Sequence, residues 1–163
     1  MSEGSSEPAP LVAVEVTETV ARALYPPEWD ENVRRGSPGC FKRNNTSVTR
    51  CKDMDLPSLI GRLKSDVERP GSPVIVRAVG NITVAKIKDV GANYQDPVHF
   101  EVWEKPTDNN PAHAEIYPYD SAAQAAPNKQ VSKGLSRKLS NSLHLTLVTP
   151  AGQIEGENPP VEA

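Results

Sequence analysis

An α+β fold, one mixed β-sheet covered by two or three helices in a single domain, is what the amino-acid sequence predicts, and three patterns predict it. Short β-branched or alternating segments stand at Val74 to Val79, Val98 to Trp103 and His113 to Tyr117. Apolar residues recur at helical spacing in Leu56, Leu59, Ile60, Leu63 and Val67 and again in Val131, Leu135, Leu139 and Leu143. The two kinds of segment follow one another as strand, helix, strand, helix, strand, strand, helix, which lacks the strict alternation of a parallel βαβ fold and suits a sheet covered mainly on one side.

Leu11 to Leu24, rich in Val, Ala and Thr, reads as the first strand. Tyr25-Pro26-Pro27-Glu28-Trp29 then forces an extended turn, because each proline fixes its own backbone and biases its predecessor away from the helical region, and Trp29 is expected to pack on the core. Thr46 to Cys51 is a further strand. Asp55-Leu56-Pro57 opens a helix with a capping carboxylate and an early proline, and Pro70-Gly71-Ser72-Pro73 ends it. The apolar run Val74 to Val79 predicts a central strand. In the next segment Val84, Ile87 and Val90 recur at helical spacing, with Thr83 as N-cap and Gly91 as a left-handed stop, so a short helix is expected. Val98 to Trp103 and His113 to Tyr117 are strands flanking a polar loop. Val131 to Leu147 is expected to be a basic amphipathic helix carrying Lys133, Arg137 and Lys138 on its outer surface.

The 163 residues leave room for one core, placed over 11–148. Residues 1–10 and 149–163 are poor in groups that could repay ordering, and are expected to be disordered tails. Only 5% of residues are aromatic, so the core must rest on Val, Leu and Ile. The formal net charge of −3 provides no overall field for a phosphate backbone, which leaves nucleic acid to the basic helix alone. The start of the chain lacks the basic and apolar regions of a signal peptide, no run approaches the roughly 20 apolar residues of a membrane span, and the two cysteines are too few for a disulfide framework. These features imply a cytoplasmic protein without a membrane.

Chemistry at neutral pH points to Asp108-Asn109-Asn110-Pro111-Ala112-His113-Ala114-Glu115, where a polar turn enters a strand with a histidine at its mouth. His113 could act as a general acid or base, oriented by Asp108 or Glu115. The plainer alternative is that the asparagines fold the turn and His113 bonds a neighbouring loop. A metal would have to draw on His99, His113, His144, Cys40 and Cys51, and no pair of these has ligand spacing, so no metal or other cofactor is expected. Cys40 is expected to be buried rather than reactive. A loose ADP-ribosyltransferase-like reading rests on Tyr25, Arg34-Arg35, a Ser-containing stretch and a later Glu, without a Gly-rich phosphate loop.

Tyr25-Pro26-Pro27, Ser37-Pro38-Gly39-Cys40-Phe41, the segment Asp108 to Ile116 and Ser136-Arg137-Lys138-Leu139-Ser140 together resemble a family of small bacterial proteins without established function, over about Leu24 to Leu147. The chain departs from that pattern in a longer insertion between Gly91 and Asp108. The resemblance implies a bacterial accessory protein beside defence or conflict systems, and supplies no reaction, ligand or cofactor. The combined expectation is a non-enzymatic subunit that binds another protein of the same system through Lys133, Arg137, Lys138, Asn110 and His113. Its alternative is a small enzyme centred on His113 with Asp108 or Glu115.

Overall fold

A computed structural model describes residues 11–161. The chain runs β1 Thr19–Leu24, β2 Trp29–Asp30, β3 Arg35–Gly36, β4 Thr46–Arg50, α1 Leu56–Val67, β5 Ala78–Thr83, α2 Val84–Ala92, β6 His99–Glu104, β7 His113–Tyr119, α3 Lys133–Asn141, β8 His144–Val148 and β9 Ile154–Asn158. Seven strands form one sheet in the order β6-β7-β4-β1-β5-β8-β9, and β2 and β3 make a separate small hairpin. The α+β class and the single domain stand. The expected mixed sheet does not: every pairing among the described strands is antiparallel.

Period-two alternation sorts each strand between two cores. Val20 and Leu24 of β1 point to one face, where they meet Val84 and Ile87 of α2 and Leu135 and Leu139 of α3. Ala21 and Ala23 point to the other, against Leu59, Ile60 and Leu63 of α1. Helices therefore lie on both faces rather than mainly on one. Trp29 is buried in the larger core, as expected.

Local chemistry explains the helix starts. Asp55, Thr83 and Ser132 each stand at an N-cap in extended backbone and accept a hydrogen bond from a backbone N–H in the first turn. Gly91 has a different use from the expected left-handed stop. It lies within α2, whose cap is Asn93, and a Cβ there would come within 2.5 Å of the Val98 carbonyl oxygen. The glycine lets α2 sit close against the start of β6.

Three further expectations are corrected. The strand placed at Val74 to Val79 lies later, at Ala78–Thr83, between β1 and β8. The helix placed over Val131 to Leu147 ends at Asn141, and Leu145 and Leu147 belong to β8. A leucine every second residue after Leu143 is strand periodicity, which the preceding four-residue spacing masks. The 149–163 tail is not disordered where the structure describes it, because Ile154–Asn158 pairs along β8 as an edge strand. Residues 1–10 and 162–163 lie outside the described residues.

Candidate functional site

Asn110 is fully buried and organises the turn before β7. Its Nδ2 donates to Thr49 Oγ1 at 2.8 Å, its Oδ1 accepts from the Ala112 N–H at 3.1 Å, and its own N–H donates to Thr107 Oγ1 at 2.9 Å. A side chain so enclosed cannot form the partner contact expected of it, so Asn110 is corrected to a structural residue. His113, directly across the ladder from Thr49, has 11% of its side chain exposed. Its Nδ1 lies 2.8 Å from the Lys105 carbonyl oxygen. Because a carbonyl only accepts, Nδ1 carries the proton in that contact. This is the loop-anchoring use of the histidine.

The acid–base pair expected around His113 is not assembled. Its Nε2 stands 4.0 Å from Glu115 Oε2, beyond hydrogen-bond reach. Glu115 Oε1 accepts instead from the Tyr117 hydroxyl at 2.5 Å. Burial, reinforced by that carboxylate, pushes the Tyr117 hydroxyl above its ordinary range and keeps it a donor. Asp108 is exposed and makes no hydrogen bond or ion pair with His113.

The same alternation that buries Ala114 and Ile116 puts His113, Glu115 and Tyr117 on the α1 side of the sheet. Opposite Glu115 stand Trp103 on β6 and Ser47 on β4. The α1 helix packs over β1, β5 and β8 residues, so a cleft of about 570 Å³ opens between it and β4. Ala21 and Ala23 form its floor, Leu63 and Val67 its helical wall, and Ser47 and His113 its far wall. At one end Arg22 is held by Glu28 at 2.6 Å and by the Ser47 carbonyl at 3.0 Å. Arg43 lies on the rim at that end and Asp108 at the other. The structure therefore brings His113 and Asp108 to one cleft, but leaves Glu115 bound to Tyr117.

The outer face of α3 carries Lys133, Arg137 and Lys138, all exposed, while Leu135 and Leu139 are fully buried. Lys129 and Lys42 are exposed beside the helix start, where the Val131 N–H donates to the Lys42 carbonyl at 2.9 Å. None of these five cations makes an ion pair among the described residues. The remaining candidates are engaged internally. Arg34 pairs with Glu155 at 2.9 Å and Arg35 donates to the Leu143 carbonyl at 3.3 Å. Burial raises both thiols, Cys40 and Cys51, to about 11. Among the described residues no group of three or more His, Cys, Asp or Glu is placed to hold a metal ion, and no helix is long and apolar enough to cross a membrane.

Sequence reasoning missed Arg22, Arg43 and Ser47 as cleft residues. The one signal was Arg22 set between Ala21 and Ala23, a charge amid small residues in a strand that must be covered on both faces. Compared with known proteins, the chain matches no protein-family model, no curated protein and no solved structure.

Proposed function

We propose that this chain is a non-enzymatic interaction subunit that docks on an acidic surface of a protein partner through α3 and the cations beside its start. The observation that carries the reading is the division of labour on α3. Leucines spend the inner face on the core, and Lys133, Arg137 and Lys138 remain exposed without an internal counter-charge among the described residues. In a chain of net charge −3 such a patch is a local exception. The exposed residues of α3 itself include no large apolar side chain to insert into lipid, which favours an acidic protein surface. The sequence resemblance supports a partner from a bacterial multiprotein system of defence or conflict type. His113 and Asn110 hold the turn before β7 on the α1 side of the sheet and lie outside this surface.

The test reverses Lys133, Arg137 and Lys138 to Glu together and measures association with the partner identified by co-purification from the native host. The circular dichroism spectrum and melting temperature should stay close to wild type, because all three side chains stand in water, while association weakens most at low salt. Full retention of the complex would sink the interface.

A second reading, a small enzyme using His113, has one observation in its favour: the imidazole lines the cleft with no hydrogen bond at Nε2 among the described residues. It requires Glu115 to leave Tyr117. A His113→Ala protein that keeps its stability but loses its biological activity would support it over the binding reading.

A further inference from the structure

We propose that the cleft beside α1 is a second binding site, built to take a short extended peptide with a cationic side chain at its Asp108 end and an acidic one at its Arg43 end. The inference starts from an interrupted ladder. β1 and β4 pair at Val20 with Arg50 and at Ala21 with Thr49, and the pairing goes no further. The next hydrogen-bonding pair in the same register would be Ala23 with Ser47. Its backbone direction follows from alternation, since the Cys51 N–H donates to the Thr19 carbonyl at 3.0 Å and odd-numbered β1 residues therefore face β4. On the far side of β4 the Arg50 N–H donates to the Ala112 carbonyl at 2.8 Å, so even-numbered β4 residues face β7 and Ser47 faces β1.

What keeps the pair open is Arg22. Its guanidinium reaches across the seam and takes the Ser47 carbonyl that Ala23 would have used, and Glu28 fixes it there. The Ser47 N–H and the backbone groups of Ala23 then front the cleft that both residues line. An extended chain matches such groups, because its N–H and C=O repeat along one edge while its side chains alternate. Alternate side chains would meet the apolar wall of Leu63, Val67 and Tyr25.

Charge sets the polarity of the ligand. Arg22 is neutralised by Glu28 and Arg69 stands 3.9 Å from Asp66, which leaves Arg43 without a counter-charge among the described residues at one end. Asp108 has no counter-charge among the described residues at the other end, on the loop beside the Thr49–His113 rung. Four to five extended residues, rising ~3.3 Å each, would span roughly 13–17 Å. The paired charges along the path cancel and Asp108 would repel a polyanion at its end, so nucleic acid is disfavoured. No α3 residue lines the cleft, and the site is independent of the helix interface.

The experiment titrates the isotopically labelled full chain with three acetylated and amidated peptides, Lys-Val-Thr-Val-Glu, Lys-Val-Thr-Val-Lys and Glu-Val-Thr-Val-Glu, and follows amide resonances. The bipolar peptide should shift Ala23 and Ser47 saturably and bind about fivefold more tightly than either of the others. The exposed charges can be exchanged without touching the core. Arg43→Glu should turn the preference toward the Lys/Lys peptide, and Asp108→Lys toward the Glu/Glu peptide. Reversal of the α3 cations should leave all three titrations unchanged. Absence of shifts at Ala23 and Ser47 up to millimolar peptide, equal affinity for the three peptides, or shifts confined to α3 would each overturn the proposal.

Discussion

Asn110 and His113 are near neighbours with unequal roles, and the difference is countable in hydrogen bonds. The Asn110 side chain satisfies the Thr49 hydroxyl and the Ala112 N–H from a fully buried position, so truncation strands two partners at once. Asn110→Ala should cost about 1–3 kcal/mol in urea denaturation, the range for leaving buried polar groups unsatisfied. His113→Ala removes one bond to the Lys105 carbonyl from a nearly buried site and should cost on the order of 1 kcal/mol. An Asn110→Ala protein as stable as wild type would show that the turn is held by something else. The residue types of this turn were readable in the sequence, because Asn before Pro is turn chemistry. Its direction was not, since burial of the amide depends on Thr49, which is distant in sequence and arrives only when β4 pairs with β7.

At the level of elements, legibility followed the locality of the signal. α1 was readable to its ends because Asp55, Pro57 and the leucine spacing all lie in or next to it, and the start of α2 because Thr83 caps it. β9 was invisible. Ile154-Glu155-Gly156-Glu157-Asn158 has one apolar residue and a glycine, and it becomes a strand through the edge offered by β8 rather than through its own propensity. The same was true of the cleft, whose existence depends on where the β1–β4 ladder stops. β9 covers Leu147 and Val148, so deleting the chain from residue 150 should lower the melting temperature by several degrees, where a disordered tail would have cost nothing. An unchanged melting temperature after that deletion would mean that the edge strand adds no stability. On α3, Leu135→Ala and Leu139→Ala should each cost roughly 2–5 kcal/mol, since both are fully buried in the larger core.

Across the whole molecule, one guanidinium ties together segments that are far apart in sequence, and this gives the fold a pH dependence with a definite sign. Arg50 of β4 donates to both oxygens of Glu18, just before β1, at 2.9 and 2.7 Å, and to Glu104 at the end of β6 at 3.0 Å. The Arg50 hydrogen bonds hold the Glu18 carboxyl below its ordinary value of 4.5, against an opposing pull from burial. A carboxylate lowered in the folded state contributes stability that is complete above its unfolded value and is lost as pH falls through its folded one. Glu18→Gln should therefore melt below wild type at pH 7, by an amount corresponding to about 1–2 kcal/mol for a partly exposed charged bond. As pH falls from about 5 towards 3 the two melting curves should converge, because wild-type Glu18 becomes neutral as well. Asp55, also held below its usual value by the Ser58 N–H at the start of α1, is common to both proteins and leaves each with a residual acid slope. Convergence is thus the diagnostic, not the slope itself. Melting temperatures that stay a constant distance apart from pH 7 to pH 3 would show that Glu18 adds contact but no linked proton, and that the three-segment tie is not electrostatic.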